Sequence, residues 1–149
     1  MGSLTIPASG TVYLDADSLI YSVETYAPYW SLLYPLWLAS QAGLITLVTS
    51  ELAIVETLVI PLRNQNTVLI GAYTQLFRSS EIKMVSITDT ILYEAATLRS
   101  SIVGLRTPDS IHATTALQQK CSLFVTNDRG YRRISHLPFV LLDDVLAAP

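Results

Sequence analysis

Five short apolar runs separated by longer helical stretches restrict this chain to very few folds. The runs are TVYLD (11–15), LITLV (44–48), IKMVSI (82–87), LFVT (123–126) and PFVLL (138–142). A strand wet on one face alternates apolar with polar residues. These runs are almost continuously apolar, the mark of strands covered on both faces. Helical patterns fill the intervals at 17–25, 28–42, 50–62, 66–79, 89–102 and 108–120. Strand, helix and strand in repetition imply right-handed crossovers between parallel neighbours. The predicted fold is therefore α/β, a three-layer α/β/α sandwich around a mainly parallel sheet of about five strands. The connection 127–137 is too short for a full crossover helix, which leaves the direction of the last strand open.

No repeat or linker divides the 149 residues, so residues 1–149 are expected to form one domain. Only 14% of them are charged, against a usual ~25%, so part of the apolar surface is expected to be covered by another chain. A net charge of -3 gives no general attraction to nucleic acid or anionic membranes. A polyanionic substrate would then need a bound cation or a local basic patch. Arg129, Arg132 and Arg133, beside Asp128, form the one such patch in the sequence. Cys121 is the single cysteine, which suits a reducing, cytoplasmic setting. The first ten residues have neither a basic region nor a long apolar run, so no secretory leader is expected. Thr25 to Ser50 carries no charge, but glutamates rather than Lys or Arg flank it, and Pro28, Pro35 and Gly43 interrupt it. No membrane association is expected.

The acidic residues fall at places the fold makes meaningful. In an open parallel sheet, C-terminal strand ends and the helix starts after them share one edge, where ligands bind. Asp15 ends the first run and Asp128 follows the fourth. Asp109 belongs to RTPDSIHATTAL, with Thr107 expected as N-cap and Pro108 as the first helical residue. Glu51 and Glu56 lie on the helix after the second run. Five residues apart, they point roughly 140° from one another and cannot both face one site. Glu51 suits a helix start. Glu56 sits among Leu52, Val59 and Ile60, where a carboxylate is harder to solvate. Periodicity favours Glu56 without settling the choice. Asp17 is expected to cap the helix it begins.

Arg106 and Arg129 are the nearest basic residues in sequence, too few to pair four acids. Oxygen-only ligation of that kind suits Mg²⁺ or Mn²⁺, and no His or Cys set has zinc spacing. His112, one turn beyond Asp109, reads as a packing histidine able to touch that aspartate. His136 has no assignable role.

The segments VYLDADSLIY, TSELAIVETLV, LRTPDSIHATTAL and FVTNDRGYRRI resemble, in order, the four acidic motifs of PIN-domain nucleases. Size and spacing are most similar to VapC-type toxins of toxin–antitoxin pairs. The resemblance implies an acidic site of Asp15, Glu56, Asp109 and Asp128 holding Mg²⁺ (or Mn²⁺). Thr126 matches the hydroxyl residue that often precedes the fourth acid. It further implies hydrolysis of phosphodiester bonds in single-stranded RNA, a cognate antitoxin and a homodimer. Ala53 stands where a threonine is common, and Asp17 where Asn or Ser is more usual. Two rival readings remain. YLDADSL also fits the Asp-x-Asp motif of haloacid-dehalogenase-like phosphatases, with Asp15 as nucleophile and Asp17 as acid/base, although Lys83 and Lys120 are poorly placed as a phosphate clamp. A PIN-like binding module without activity is the other.

The segment PYWSLLYPLWLASQAG (28–43) is uncharged and apolar almost all round. Part of it, including Tyr34 and Trp37, is expected to be exposed in the lone chain and covered by an antitoxin or a second copy. Pro35 is expected to kink or split its helix.

Overall fold

The computed structural model describes residues 2–149. Its sheet contains β1 (Thr11–Leu14), β2 (Thr46–Ser50), β3 (Lys83–Val85), β4 (Leu123–Thr126) and β5 (Phe139–Leu141). The strands lie in the order β3-β2-β1-β4-β5, and every neighbouring pair is parallel. The helices are α1 (Ala16–Val23), α2 (Tyr29–Gln41), α3 (Leu52–Arg63), α4 (Thr67–Arg78), α5 (Asp89–Ser101), α6 (Thr107–Gln118) and α7 (Leu142–Ala147).

The apolar runs become strands buried on both faces because successive side chains point to opposite sides. Val12 and Leu14 of β1, Leu47 of β2 and Val125 of β4 join one core with Leu19, Leu33, Leu36, Trp37 and Leu76 from α1, α2 and α4. Tyr13, Val48 and Phe124 face the other way and pack with Ala113 and Ala116 of α6 and with Tyr131 and Ile134. These are the three predicted layers. The last strand is parallel, reached through a 3-10 turn at Arg129–Arg133 instead of a crossover helix.

Some boundaries depart from the sequence reading. β2 is displaced from 44–48 to Thr46–Ser50. Gly43, at φ +76, turns the chain after α2 and leaves Leu44 59% exposed. Thr49 and Ser50 look too polar for a buried strand, yet both are satisfied. The Thr49 hydroxyl donates to the Leu14 carbonyl, and the Ser50 amide donates to the Tyr13 hydroxyl. α7 was hidden because it begins inside the last apolar run and lasts only six residues.

α2 corrects two expectations. Pro35 lies inside one continuous helix, on its exposed side, so the helix is not split there. Trp37 is a core residue whose indole N–H donates to the Ser22 hydroxyl at 2.9 Å, whereas Tyr34 is 48% exposed. Trp37→Ala is thus expected to cost about 3–5 kcal/mol, the range for emptying a buried aromatic site. Tyr34→Glu should stay within about 0.5 kcal/mol. Urea unfolding of the two variants measures both. Among the described residues, no helix is long and apolar enough to cross a membrane.

Candidate active site

The strand order reverses between β1 and β4, which opens a crevice at their C-terminal ends. Leu14 pairs with Val125, so Asp15 comes level with Thr126. Asp15, only 5% exposed, caps α1 by accepting the Ser18 amide proton at 3.0 Å. The cap is therefore Asp15 and not Asp17, which sits in the first turn. The other oxygen of Asp15 accepts the Thr126 hydroxyl proton, and that hydroxyl accepts from the Asp128 amide at 3.0 Å. Thr126 thus ties two of the acids together. Asp128 in turn caps the 3-10 turn, accepting from the Gly130 amide at 2.8 Å. A Cβ on Gly130 would come within 3.0 Å of the same oxygen, so the turn favours glycine there.

Asp109 lies in the first turn of α6, where its charge suits the helix dipole. Helix α6 starts at Thr107 with Arg106 as its N-cap, one residue earlier than expected. Thr107 does not cap. Its hydroxyl is taken by Arg99, whose guanidinium also holds the Leu105 carbonyl and so braces the approach to α6. Arg106 reaches back to Asp109 at 3.0 Å and across to Asp128 at 3.1 Å. The Tyr131 hydroxyl lies 3.5 Å from Asp109.

Between the two glutamates the geometry decides. Glu51 is exposed and receives a hydrogen bond from Ser86. Glu56 faces the crevice and meets His112 Nε2 at 2.6 Å. Asp15, Asp17, Glu56, Asp109 and Asp128 line one cleft of about 420 Å³, together with Arg106, His112 and Tyr131. A larger cavity of about 520 Å³ lies elsewhere, bordered by Trp30, Trp37 and Leu76, with Glu81 as its only carboxylate. The acidic residues gather in the smaller cleft.

Five carboxyl groups against one guanidinium leave that cleft short of positive charge. Burial raises the Asp15 carboxyl to about 6, despite its bonds from Thr126 and Ser18, and the Asp17 charge adds to the rise. Asp17 is raised as well, by loss of surrounding water and then by the charges of Asp128 and Glu56. Arg106 is raised by its hydrogen bonds and charge pairing with Asp109.

The donor set is oxygen only and anionic, which fits a hard divalent cation. Among the described residues no three such side chains are drawn close enough to make a ready metal cage. Arg106 and His112 hold Asp109, Asp128 and Glu56, while Asp15 and Asp17 enter none of the described ion pairs. The unpaired charge is where a cation would be drawn.

Three residues named in the sequence take other places in the structure than expected. Asp17 shares the cleft, and its place two residues after a strand-end acid was the available signal. Arg106 bridges two motifs, which only the fold reveals. His112 contacts Glu56 rather than Asp109. The Arg129, Arg132 and Arg133 cluster is not a free patch: Arg132 pairs with Asp144 at 2.8 Å, and Arg133 donates to the Val103 carbonyl.

A family model described as PIN domain matches residues 12–137. No curated protein sequence matches the chain. Among solved structures, VapBC2 from Rickettsia felis, bound to a DNA fragment from its promoter, is similar at 14% identity with a TM-score of 0.71, over 88% of this chain and 98% of that one. A toxin–antitoxin complex from Klebsiella pneumoniae is similar at 15% identity and a TM-score of 0.62, over 88% and 97%. VapC20 of Mycobacterium tuberculosis, a sarcin-ricin loop cleaving toxin, is similar at 11% identity and 0.69, over 83% and 95%.

Proposed function

This chain belongs to the PIN domain family, and on that premise we propose that it is a Mg²⁺- or Mn²⁺-dependent endoribonuclease that hydrolyses phosphodiester bonds in single-stranded RNA, the toxin of a type II toxin–antitoxin pair. The observation that carries the reading is the convergence of Asp15 and Asp17 at the start of α1 with Glu56, Asp109 and Asp128 from three other elements on one cleft at the sheet's switch point.

In this reading Asp15, Glu56, Asp109 and Asp128 would hold the cation, and Thr126 fixes Asp15 and Asp128 relative to each other. Bound there, a cation would supply charge to polarise a phosphoryl oxygen and would make water easier to deprotonate. A cleft carboxylate orients the attacking water and takes its proton. Arg106, with a side chain 68% exposed at the rim, offers the phosphate the local attraction that the chain's net charge does not.

The purified protein, loaded with Mg²⁺, is expected to cleave single-stranded RNA internally and to leave a phosphomonoester such as p-nitrophenyl phosphate intact. The reverse pattern would favour the Asp15/Asp17 phosphatase, for which no lysine lines the cleft. Inactivity on both would favour a binding module.

Partners follow from the same reading. The similar VapBC2 and Klebsiella structures are toxin–antitoxin assemblies, which supports a cognate antitoxin here. The place of action is then the cytoplasm. A homodimer is supported by α3, which leaves Val55, Val59 and Leu62 exposed at 55%, 42% and 57%, one stripe at helical spacing. Val59→Glu is expected to shift the sedimentation coefficient from dimer to monomer with little change in melting temperature. An unaltered dimer would move the interface elsewhere.

A further inference from the structure

We propose that His112 is a positioning residue that fixes the Glu56 carboxylate in the cleft and is itself fixed by Tyr13. The proposal rests on the nuclease reading above, which gives Glu56 its task. His112 is 2% exposed and Tyr13 is fully buried. The Ser50 amide donates to the Tyr13 hydroxyl at 3.1 Å. The carboxylate facing Nε2 can only accept, so we assign Nδ1 as the ring's acceptor, taking the Tyr13 hydroxyl proton at 2.6 Å. Nε2 then carries the ring proton and donates it to Glu56 Oε1, also at 2.6 Å. A chain of hydrogen bonds so runs from β2 through β1 and α6 to α3. Ring packing holds it rigid: Tyr13 stacks on Phe124 at 5.0 Å and meets the imidazole edge-on at 5.7 Å.

A buried hydroxyl and imidazole cost free energy unless each polar atom is paired, and an apolar side chain would fill α6 without that cost. What the polar residues add is direction. Glu56 is a flexible side chain, 28% exposed, and left alone it would turn toward water. His112 selects one orientation before anything binds. Supporting partners of this kind typically change metal affinity or activity by about 10–100-fold.

The test is a mutant cycle on Mn²⁺ affinity, measured by calorimetry, with kcat and KM on RNA alongside. His112→Leu is expected to weaken Mn²⁺ binding about tenfold or more and to lower kcat with little change in KM. His112→Gln, which keeps a donor toward Glu56, should restore most of the affinity. In a Glu56→Gln background, His112→Leu should have no further effect, an outcome that a general structural role would not give. Should His112→Leu fail to fold, Tyr13→Phe replaces it; loss of the hydroxyl alone should weaken Mn²⁺ binding only while Glu56 is present. Wild-type affinity in a folded His112→Leu or Tyr13→Phe protein, or an equal loss in both backgrounds, overturns the proposal. Mn²⁺ binding that depends on His112 without RNA cleavage supports the positioning and removes the nuclease reading instead.

Discussion

Asp109→Asn is expected to abolish Mg²⁺-dependent RNA cleavage in a protein that still folds. The substitution keeps the volume of a side chain that is 7% exposed and removes only its charge. Arg106 keeps a partner in Asp128, so the loop before α6 stays anchored. What disappears is one carboxylate of the proposed metal site, and the loss should exceed the ~100-fold that removal of a supporting partner can cost. Asp15→Asn should inactivate as fully, with a different structural cost, because the Thr126 hydroxyl loses the carboxylate that accepts its proton. Steady-state cleavage of a labelled single-stranded RNA, beside circular dichroism, measures both effects. A folded Asp109→Asn protein that cleaves at the wild-type rate would remove Asp109 from the site.

The metal-free protein is expected to lose stability as pH rises through 6. Asp15 stands at about 6 in the folded chain against an ordinary 3.8, and burial is the main cause. A raised folded value favours the protonated form. The associated stability is fully present below about pH 3.8 and is lost as pH climbs through about 6. The difference is on the order of 3 kcal/mol, or roughly 5–10 °C in a chain of this length. Thermal melts in EDTA from pH 3.5 to 7.5 should show that fall, and Asp15→Asn should flatten it. Mg²⁺ at neutral pH should raise the wild-type melting temperature more than that of the variant, as expected if Asp15 is one of the carboxylates that hold the ion in the folded chain. A wild-type profile that is flat through pH 6 would contradict the burial cost assigned to Asp15.

Strand faces were legible in the sequence because burial on both sides leaves no choice of residue: Val12, Tyr13 and Leu14 are apolar or aromatic whichever layer they meet. Strand ends were less legible. Thr49 and Ser50 enter the sheet only because Leu14 and Tyr13 satisfy them, and those partners are 35 and 37 residues away. The acidic residues could be gathered from the rule that strand ends and helix starts share an edge, and Glu56 was favoured over Glu51 by its apolar neighbours. Their counter-charges could not be gathered that way. Arg106 and Asp128 are 22 residues apart, and His112 and Glu56 are 56 apart. α2 misled at Trp37: Tyr34 is exposed as expected, but in a helix apolar almost all round nothing in the sequence marks that Trp37 turns inward to a serine on α1.

The most direct test of the account is Mn²⁺ binding by the EDTA-stripped chain, followed by calorimetry in parallel with Asp15→Asn and Asp109→Asn. The wild type is expected to bind saturably and either substitution to remove most of that binding, with Mn²⁺ restoring RNA cleavage over the same concentration range. Cleavage that persists in excess EDTA, or Mn²⁺ binding that both variants retain in full, would contradict the account.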